Sequence, residues 1–142
     1  MDVKQLGPDA LEAARMLLRA SDLPADDLPD PAIRLLGAFD GDELLGVVGL
    51  QTCDATGLLR SLAVRPVARD RGIARALCER VFALADGQGL DGLWLLTTSA
   101  SAYFTRHGFR AVDRNTAPLA IRETAQFASL CPSTAIVMRR KG

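Results

Sequence analysis

The segment from Leu58 to Ala85 constrains the fold most, because a buried strand, a basic loop and an amphipathic helix follow one another directly. The apolar strand runs to Val64, and Pro66 ends it because proline donates no backbone hydrogen bond. Apolar residues at helical spacing then predict a helix over residues 72–86. Since another buried strand is predicted at Leu93–Thr98, the segment indicates a parallel β-α-β unit.

Antiparallel strands are predicted before this unit. Ile33–Phe39 and Leu44–Cys53 read as strands joined by a turn at Asp40-Gly41-Asp42. The remaining predicted elements are a helix over residues 8–20, a loop over residues 21–31, a short helix over Ala100–His107, the start of a strand at Arg110–Val112, a helix over Ala117–Phe127 and a strand over Ala135–Arg139. We therefore predict a single domain, residues 1–142, of the α/β class, with a mixed, mostly antiparallel central sheet and helices on both faces.

Charge and composition exclude several classes of function. Seventeen basic residues balance seventeen acidic ones, which argues against a nucleic acid as partner. The chain has no run of apolar residues long enough to span a membrane, and its start lacks the core of a signal peptide. Cys53, Cys78 and Cys131 form no CxxC pair, and His107 is the single histidine, so we predict no metal site. We expect a reduced, cytoplasmic setting and no membrane partner.

The basic loop before the predicted helix has the properties of a phosphate-binding site. The start of a helix exposes unpaired backbone N–H groups and a partial positive charge. Gly72 allows a ligand to approach the backbone, and Arg69 and Arg71 can add charge-assisted contacts. A single glycine is not a phosphate fingerprint, so an ordinary basic loop before a helix is the alternative on spacing alone.

Three motifs resemble those of the GNAT superfamily of N-acetyltransferases, in the same order and at similar separations. Arg69–Ala74 (RDRGIA) is similar to the Arg/Gln-x-x-Gly-x-Gly/Ala motif of that family. Ser61–Val64 (SLAV) resembles its fourth strand, and Phe104–Phe109 (FTRHGF) resembles its Tyr-x-x-x-Gly-Phe segment. The resemblance implies the acyl-CoA N-acyltransferase fold and acetyl-CoA as co-substrate.

The resemblance also implies which residues bind the cofactor. The backbone of Leu62, Ala63 and Val64 is expected to bind the pantetheine and the thioester. The N–H of Leu62 is then the expected donor to the oxyanion that forms in the reaction. Phe104, at the position of the family's tyrosine, is a further expected cofactor contact. The residues expected around the pyrophosphate are Arg69, Asp70, Arg71, Gly72, Ile73 and Ala74.

The catalytic groups depart from the family's pattern. Arg60 stands where many members have a glutamate base, and arginine stays protonated, so it cannot be the base. Arg60 could instead clamp a substrate carboxylate, or it could form a surface or interstrand salt bridge. Phe104 replaces the usual general-acid tyrosine, and the neighbouring Tyr103 points about 100° away on a helix. Tyr103 is the candidate acid, with water or the thiol itself as alternatives.

A narrower resemblance covers nearly the whole chain and concerns the acceptor. It is to the arsenic-resistance N-acetyltransferase branch, which shares parts of its tail with amino-acid N-acetyltransferases of the glutamate type. The tripeptide Leu130-Cys131-Pro132 is its most specific feature. The implied acceptor is a small-molecule amine, either glutamate-like or an organoarsenical or phosphinic mimic. The expected acceptor-binding residues are Arg60, Ser61, Thr97, Arg114 and Ser129.

Several alternatives are open at this stage. Thr97 could cap its strand, and Cys131 could pack in the tail instead of meeting arsenic. Because the usual acid and base are missing, a non-catalytic acyl-CoA sensor is the alternative function. For this fold, pairing through the C-terminal strand would produce a homodimer.

Overall fold

A computed structural model describes residues 1–141, except for the side chain of Ser129, and its contacts group into two compact units. The N-terminal unit comprises Met1–Gln51 and Leu59–Leu84. The C-terminal unit comprises Thr52–Leu58 and the chain from Ala85 onward.

The N-terminal unit is built on antiparallel strands. Its elements are β1 (Asp2–Gln5), α1 (Leu11–Ala20, after a 3₁₀ turn at Pro8–Ala10), all of β2 (Ile33–Asp40), most of β3 (Glu43–Cys53), the later part of β4 (Thr56–Val64) and most of α2 (Ile73–Gly87). The β2–β3 hairpin turns at Gly41, whose φ of +60° suits glycine, as predicted. The strand β1 was not predicted, because its mostly exposed residues carry no apolar pattern; pairing with β2, with Asp2 opposite Phe39, specifies it.

The C-terminal unit contains the later strands and the shorter helices. Its elements are the start of β4, β5 (Gly92–Thr97), α3 (Ser101–Thr105), β6 (Arg110–Ala111), α4 (Leu119–Arg122), a π-helical turn at Gln126–Leu130 and β7 (Ile136–Lys141). β4 and β5 are parallel, with Leu58 opposite Trp94, whereas β7 pairs antiparallel with both β5 and β6. The strand order β1-β2-β3-β4-β5-β7-β6 gives a seven-stranded mixed, mostly antiparallel sheet, which confirms the predicted fold class.

The helix predicted over Ala117–Phe127 is wrong as a single element. The α-helical part ends at Arg122, and a π-helical turn follows from Gln126. Between them the Thr124 hydroxyl donates to the Ile121 carbonyl at 2.7 Å and accepts from the Phe127 N–H at 3.3 Å. Threonine side chains that bond to nearby backbone compete with helical hydrogen bonds, which accounts for the break.

Each unit has its own apolar core. In the N-terminal unit α1 buries Ala14 and Leu18 against Val47 of β3, and in the C-terminal unit Trp94 packs with Ile121 and Val137. Across residues 1–141, the structure contains no helix with the length and hydropathy that a bilayer crossing requires.

A close approach between β3 and α2 fixes where α2 begins. A Cβ added at Gly46 would lie 3.1 Å from Ile73 Cγ2 and 3.2 Å from Leu77 Cδ1. Both of these α2 side chains are buried, so only glycine allows the first turns of α2 to pack this tightly on the sheet. The loop that precedes α2 is positioned by this contact.

We expect Gly46→Ala to destabilise the fold by about 1–3 kcal/mol, because the added methyl group overpacks the contact with α2. The free energy of unfolding in urea measures the effect. Gly7→Ala is the matched control, since a Cβ at Gly7 would meet nothing within 4 Å. We expect the control to change stability by less than about 0.5 kcal/mol. Equal effects of the two substitutions would contradict this packing argument.

Candidate active site

The strand β4 is irregular at Ser61. The φ of Ser61 is +59°, a left-handed conformation that is uncommon outside glycine. A left-handed residue inside a strand is typical of a β-bulge, where one residue leaves the regular ladder and the alternation of side chains is interrupted. Arg60 and Ser61 are both buried, as are all the residues of β4 from Thr56 to Ser61, and Arg60 Nε donates to Ser61 Oγ at 3.0 Å.

Arg60 forms a two-pronged ion pair with Asp27. Nη2 donates to Asp27 Oδ1 at 2.6 Å, and Nη1 donates both to Asp27 Oδ2 and to Gln51 Oε1, the latter at 3.2 Å. The Arg60 side chain is 1% exposed and the Asp27 side chain 15%. Together with Ser61, these partners use nearly all the N–H groups of the guanidinium. Arg60 therefore forms a salt bridge, but a buried one to a loop residue and not the expected surface or interstrand pair, and a ligand carboxylate would have to displace Asp27.

Asp27 is the residue that the sequence reasoning missed. It lies in the loop between α1 and β2, and its neighbours Ala25 and Leu28 are buried in the core of the N-terminal unit. These two anchors hold Asp27 at β4, while the adjacent Asp26 is exposed. A signal was present in the sequence: Arg60 lies in an otherwise apolar strand, and a buried arginine requires an acidic partner.

The loop before α2 has the geometry expected of a phosphate-binding segment. Asp70 and Gly72 have φ of +65° and +76°, and Arg69, Asp70 and Arg71 are exposed. A Cβ added at Gly72 would meet no protein atom within 4 Å, so the space beside it is open to a ligand. The Ala76 N–H bonds to the Gly72 carbonyl at 3.0 Å, which leaves the N–H groups ahead of it without an intrahelical acceptor.

The aromatic residues of α3 divide into one buried ring and one partly exposed ring. Phe104 is 6% exposed and packs edge-on against Phe109, with ring centroids 5.6 Å apart. Tyr103 is half-buried, and its ring lies 4.7 Å from that of His107. The predicted cofactor contact of Phe104 would therefore involve a side chain that already belongs to the core of the C-terminal unit.

Two residues make local contacts that were the alternatives to a binding role. Thr97 Oγ1 accepts a hydrogen bond from the Ala100 N–H at 2.9 Å, which caps the end of β5. The Cys131 thiol donates to Gln126 Oε1 at 3.0 Å, which ties it into the tail. The side chain of Ser129, a third predicted acceptor contact, lies outside the described part of the chain.

Arg114 has an incompletely satisfied guanidinium. Its Cζ lies 4.7 Å from the centroid of the Phe127 ring, and the side chain is half-buried. Its Nη1 is buried, and no group in the described residues accepts a hydrogen bond from it. Because a buried unpaired charged donor is costly, this nitrogen is suited to an anionic ligand.

The family model of the acetyltransferase (GNAT) family matches residues 7–109 of the chain. The chain belongs to this family. Family membership confirms the predicted enzyme class, an acetyltransferase that uses acetyl-CoA as co-substrate. Among residues 1–141, no cluster of three or more His, Cys, Asp or Glu side chains could hold a metal ion. The comparison with curated proteins found no match.

Solved structures confirm the acyl-CoA N-acyltransferase fold of this GNAT protein. N-acetylglutamate synthase from Neisseria gonorrhoeae, complexed with coenzyme A and N-acetyl-glutamate, superposes with a TM-score of 0.82 at 21% identity. The match covers 99% of this chain and 34% of that one, so this chain spans about a third of the synthase's length. A Mycobacterium tuberculosis protein complexed with CoA gives 0.79 at 18% identity, covering 100% and 99% of the two chains. A GNAT acetyltransferase from Staphylococcus aureus Mu50 gives 0.80 at 18%, covering 99% and 98%.

The ion pair predicts a strong energetic coupling between its two residues. Asp27→Asn leaves the buried Arg60 charge uncompensated and should destabilise the fold by about 3–5 kcal/mol. The double variant Asp27→Asn with Arg60→Gln carries no buried charge and should lose clearly less than the single variant. Urea unfolding of the unsubstituted protein, of each single variant (Asp27→Asn and Arg60→Gln) and of the double variant measures the coupling; additive losses would contradict the ion pair.

Proposed function

We propose that this GNAT enzyme acetylates the amine of a small amino-acid-like acceptor that also carries an anionic group. Glutamate and its organoarsenical or phosphinic mimics are the acceptor class. The observation that carries this proposal is the buried Nη1 of Arg114, which lacks an acceptor among the described residues while the guanidinium is held on Phe127. A carboxylate, or the arsenic or phosphorus acid of a mimic, would supply charge-assisted hydrogen bonds there. The fold likeness to N-acetylglutamate synthase, solved with N-acetyl-glutamate, supports the same class.

This proposal moves the anion-binding role from Arg60 to Arg114. Both were expected acceptor contacts, but the Arg60 guanidinium already has Asp27 as its counter-ion. Arg114 has no ion pair with a carboxylate within the described residues, so an acceptor carboxylate there would not have to replace a counter-ion.

For the cofactor, we propose that the loop from Arg69 to Ala74 binds the pyrophosphate of acetyl-CoA. Its exposed arginines, its left-handed turns and the open space at Gly72 support this assignment. The backbone of Leu62, Ala63 and Val64, just after the bulge, binds the pantetheine, and the Leu62 N–H stabilises the oxyanion. Phe104 contributes at most through its backbone, because its ring is buried.

Release of the CoA thiolate requires a proton. Tyr103 is the proposed source, because it is the half-buried ring of α3 and carries the only phenol of the chain.

The alternative function, a non-catalytic acyl-CoA sensor, was considered because the usual catalytic acid and base are missing from the sequence. It loses its main support because Asp27 brings a carboxylate to Arg60.

The wider setting is also proposed from the resemblance. We propose a single domain over residues 1–142, a cytoplasmic location, a role in resistance to arsenic compounds, and a homodimer. Because β5 and β6 both hydrogen-bond to β7, pairing of two copies through β7 would have to use the backbone groups of β7 that these two strands do not bond.

We expect Arg71→Ala to weaken CoA binding about 10-fold, because one charge-assisted contact to the pyrophosphate is lost. Isothermal titration with CoA measures the affinity. Arg75→Ala is the control: Arg75 is an exposed arginine in the first turn of the same helix, but its Nε is paired with Glu79 at 3.1 Å. Equal losses in both variants would indicate a general charge effect and contradict the loop assignment.

For the acceptor, we expect release of CoA thiol from acetyl-CoA with glutamate analogues, including phosphinic and arsinic ones, and much less with the matching amines that lack the acidic groups. Arg114→Met should lower kcat/KM for the acidic acceptors about 100-fold, an order typical of losing a buried charged contact. Arg110→Met, at an exposed position of β6, is the control. No preference for acidic amines, or equal activity of Arg114→Met and the unsubstituted enzyme, would refute the proposed acceptor class.

A further inference from the structure

We infer that Asp27 is the catalytic carboxylate of this enzyme, binding the acceptor's ammonium group and accepting its proton, with Arg60 as the residue that positions it. The inference rests on the proposed function, since it requires an amine acceptor. It assigns the base to a loop residue between α1 and β2, whereas the sequence offers no carboxylate at the start of β4.

The carboxylate of Asp27 has unused hydrogen-bonding capacity on the accessible side of the ion pair. Arg60 donates one hydrogen bond to each carboxylate oxygen, and a carboxylate can accept about four. Asp27 is 15% exposed and Arg60 only 1%, so a ligand can reach the carboxylate but not the guanidinium. An ammonium group is the ligand that such a carboxylate selects.

Both the backbone and the carboxylate of Asp27 are held in place. Ala25 and Leu28 anchor its backbone in the core, and the Arg60 fork orients both of its oxygens. Arg60 in turn is held by Gln51 and Ser61. Little conformational freedom is left to lose when an acceptor binds, which is the preorganisation that catalysis requires.

One of the residues that bond to Arg60 is the direct neighbour of the proposed oxyanion donor in the chain. Ser61, the left-handed residue that accepts from Arg60, immediately precedes Leu62 in β4. Among the other loop aspartates, Asp26 and Asp22 are exposed, and Asp30 accepts from the Ala32 N–H at 2.8 Å in a local turn. Asp27 is therefore the loop carboxylate that the fold brings to the reactive stretch.

The proton balance is as follows. The acceptor arrives as an ammonium ion, and one proton passes to Asp27, directly or through one water, and then to solvent. The neutral amine attacks the thioester carbonyl carbon, so that a C–N bond forms and the C–S bond breaks. The second amine proton replaces the proton that Tyr103 gives to the departing CoA thiolate. The products are the N-acetylated amine, CoA thiol and one released proton.

The test separates this role from mere neutralisation of Arg60. The variants are Asp27→Asn, the charge-free double variant Asp27→Asn with Arg60→Gln, and Asp26→Asn as the control in the same loop. For each we would measure kcat/KM for the acceptor, the affinity for CoA and the unfolding midpoint in urea. We expect Asp27→Asn to lose about 100-fold or more in kcat/KM while CoA affinity is kept within about 2-fold, as loss of a general base predicts.

The double variant distinguishes a catalytic role of Asp27 from a purely structural one. We expect it to regain stability relative to Asp27→Asn without regaining turnover, and we expect Asp26→Asn to match the unsubstituted enzyme. Turnover that returns together with stability would overturn the inference and make the pair structural. The proposed function fails separately: an unsubstituted enzyme that binds CoA but acetylates no amine overturns both, whereas activity in the double variant overturns only the role of Asp27.

Discussion

A buried ion pair, Arg60 with Asp27, is the interaction on which the proposed site depends. A guanidinium in an apolar strand is tolerated only with a counter-charge and saturated hydrogen bonds, and Asp27, Gln51 and Ser61 provide both. The pair binds the loop after α1 to β4 at the residue where the strand bulges. One contact therefore accounts for the buried arginine, the position of the loop and the presence of a carboxylate beside the reactive part of β4.

The cofactor end depends on a different constraint, the close packing of α2 on β3 at Gly46. That contact positions the start of α2, and Gly72 then allows the chain to enter the helix with a left-handed turn and open space beside it. The loop proposed to bind phosphate is thus held by packing, while the proposed acceptor end is held by charge. Substitutions at the two ends should accordingly affect different steps, cofactor binding in one case and acceptor chemistry in the other.

Much of the fold followed from the sequence where the local signals were strong. Apolar runs and the turn residues between them predicted the β2–β3 hairpin, and helical spacing predicted α2 to within a residue at each end. The failures had non-local causes: β1 exists through its pairing with β2, and Thr124 interrupts the predicted tail helix. The loop before α2 was singled out for the cofactor because its signal is contiguous, and that assignment stays a proposal. The Asp27–Arg60 pair was not predicted, because its partners are far apart in sequence and meet only in the fold.

The central claim is that an amine acceptor meets Asp27 while acetyl-CoA lies along β4 and the start of α2. A crystal structure of the enzyme with CoA and a glutamate-class acceptor tests it most directly. The account predicts the acceptor nitrogen within hydrogen-bond distance of Asp27 and the pyrophosphate on the backbone N–H groups between Arg69 and Ala74. An acceptor nitrogen bound away from an unchanged Asp27–Arg60 pair, or a pyrophosphate bound elsewhere, would contradict it.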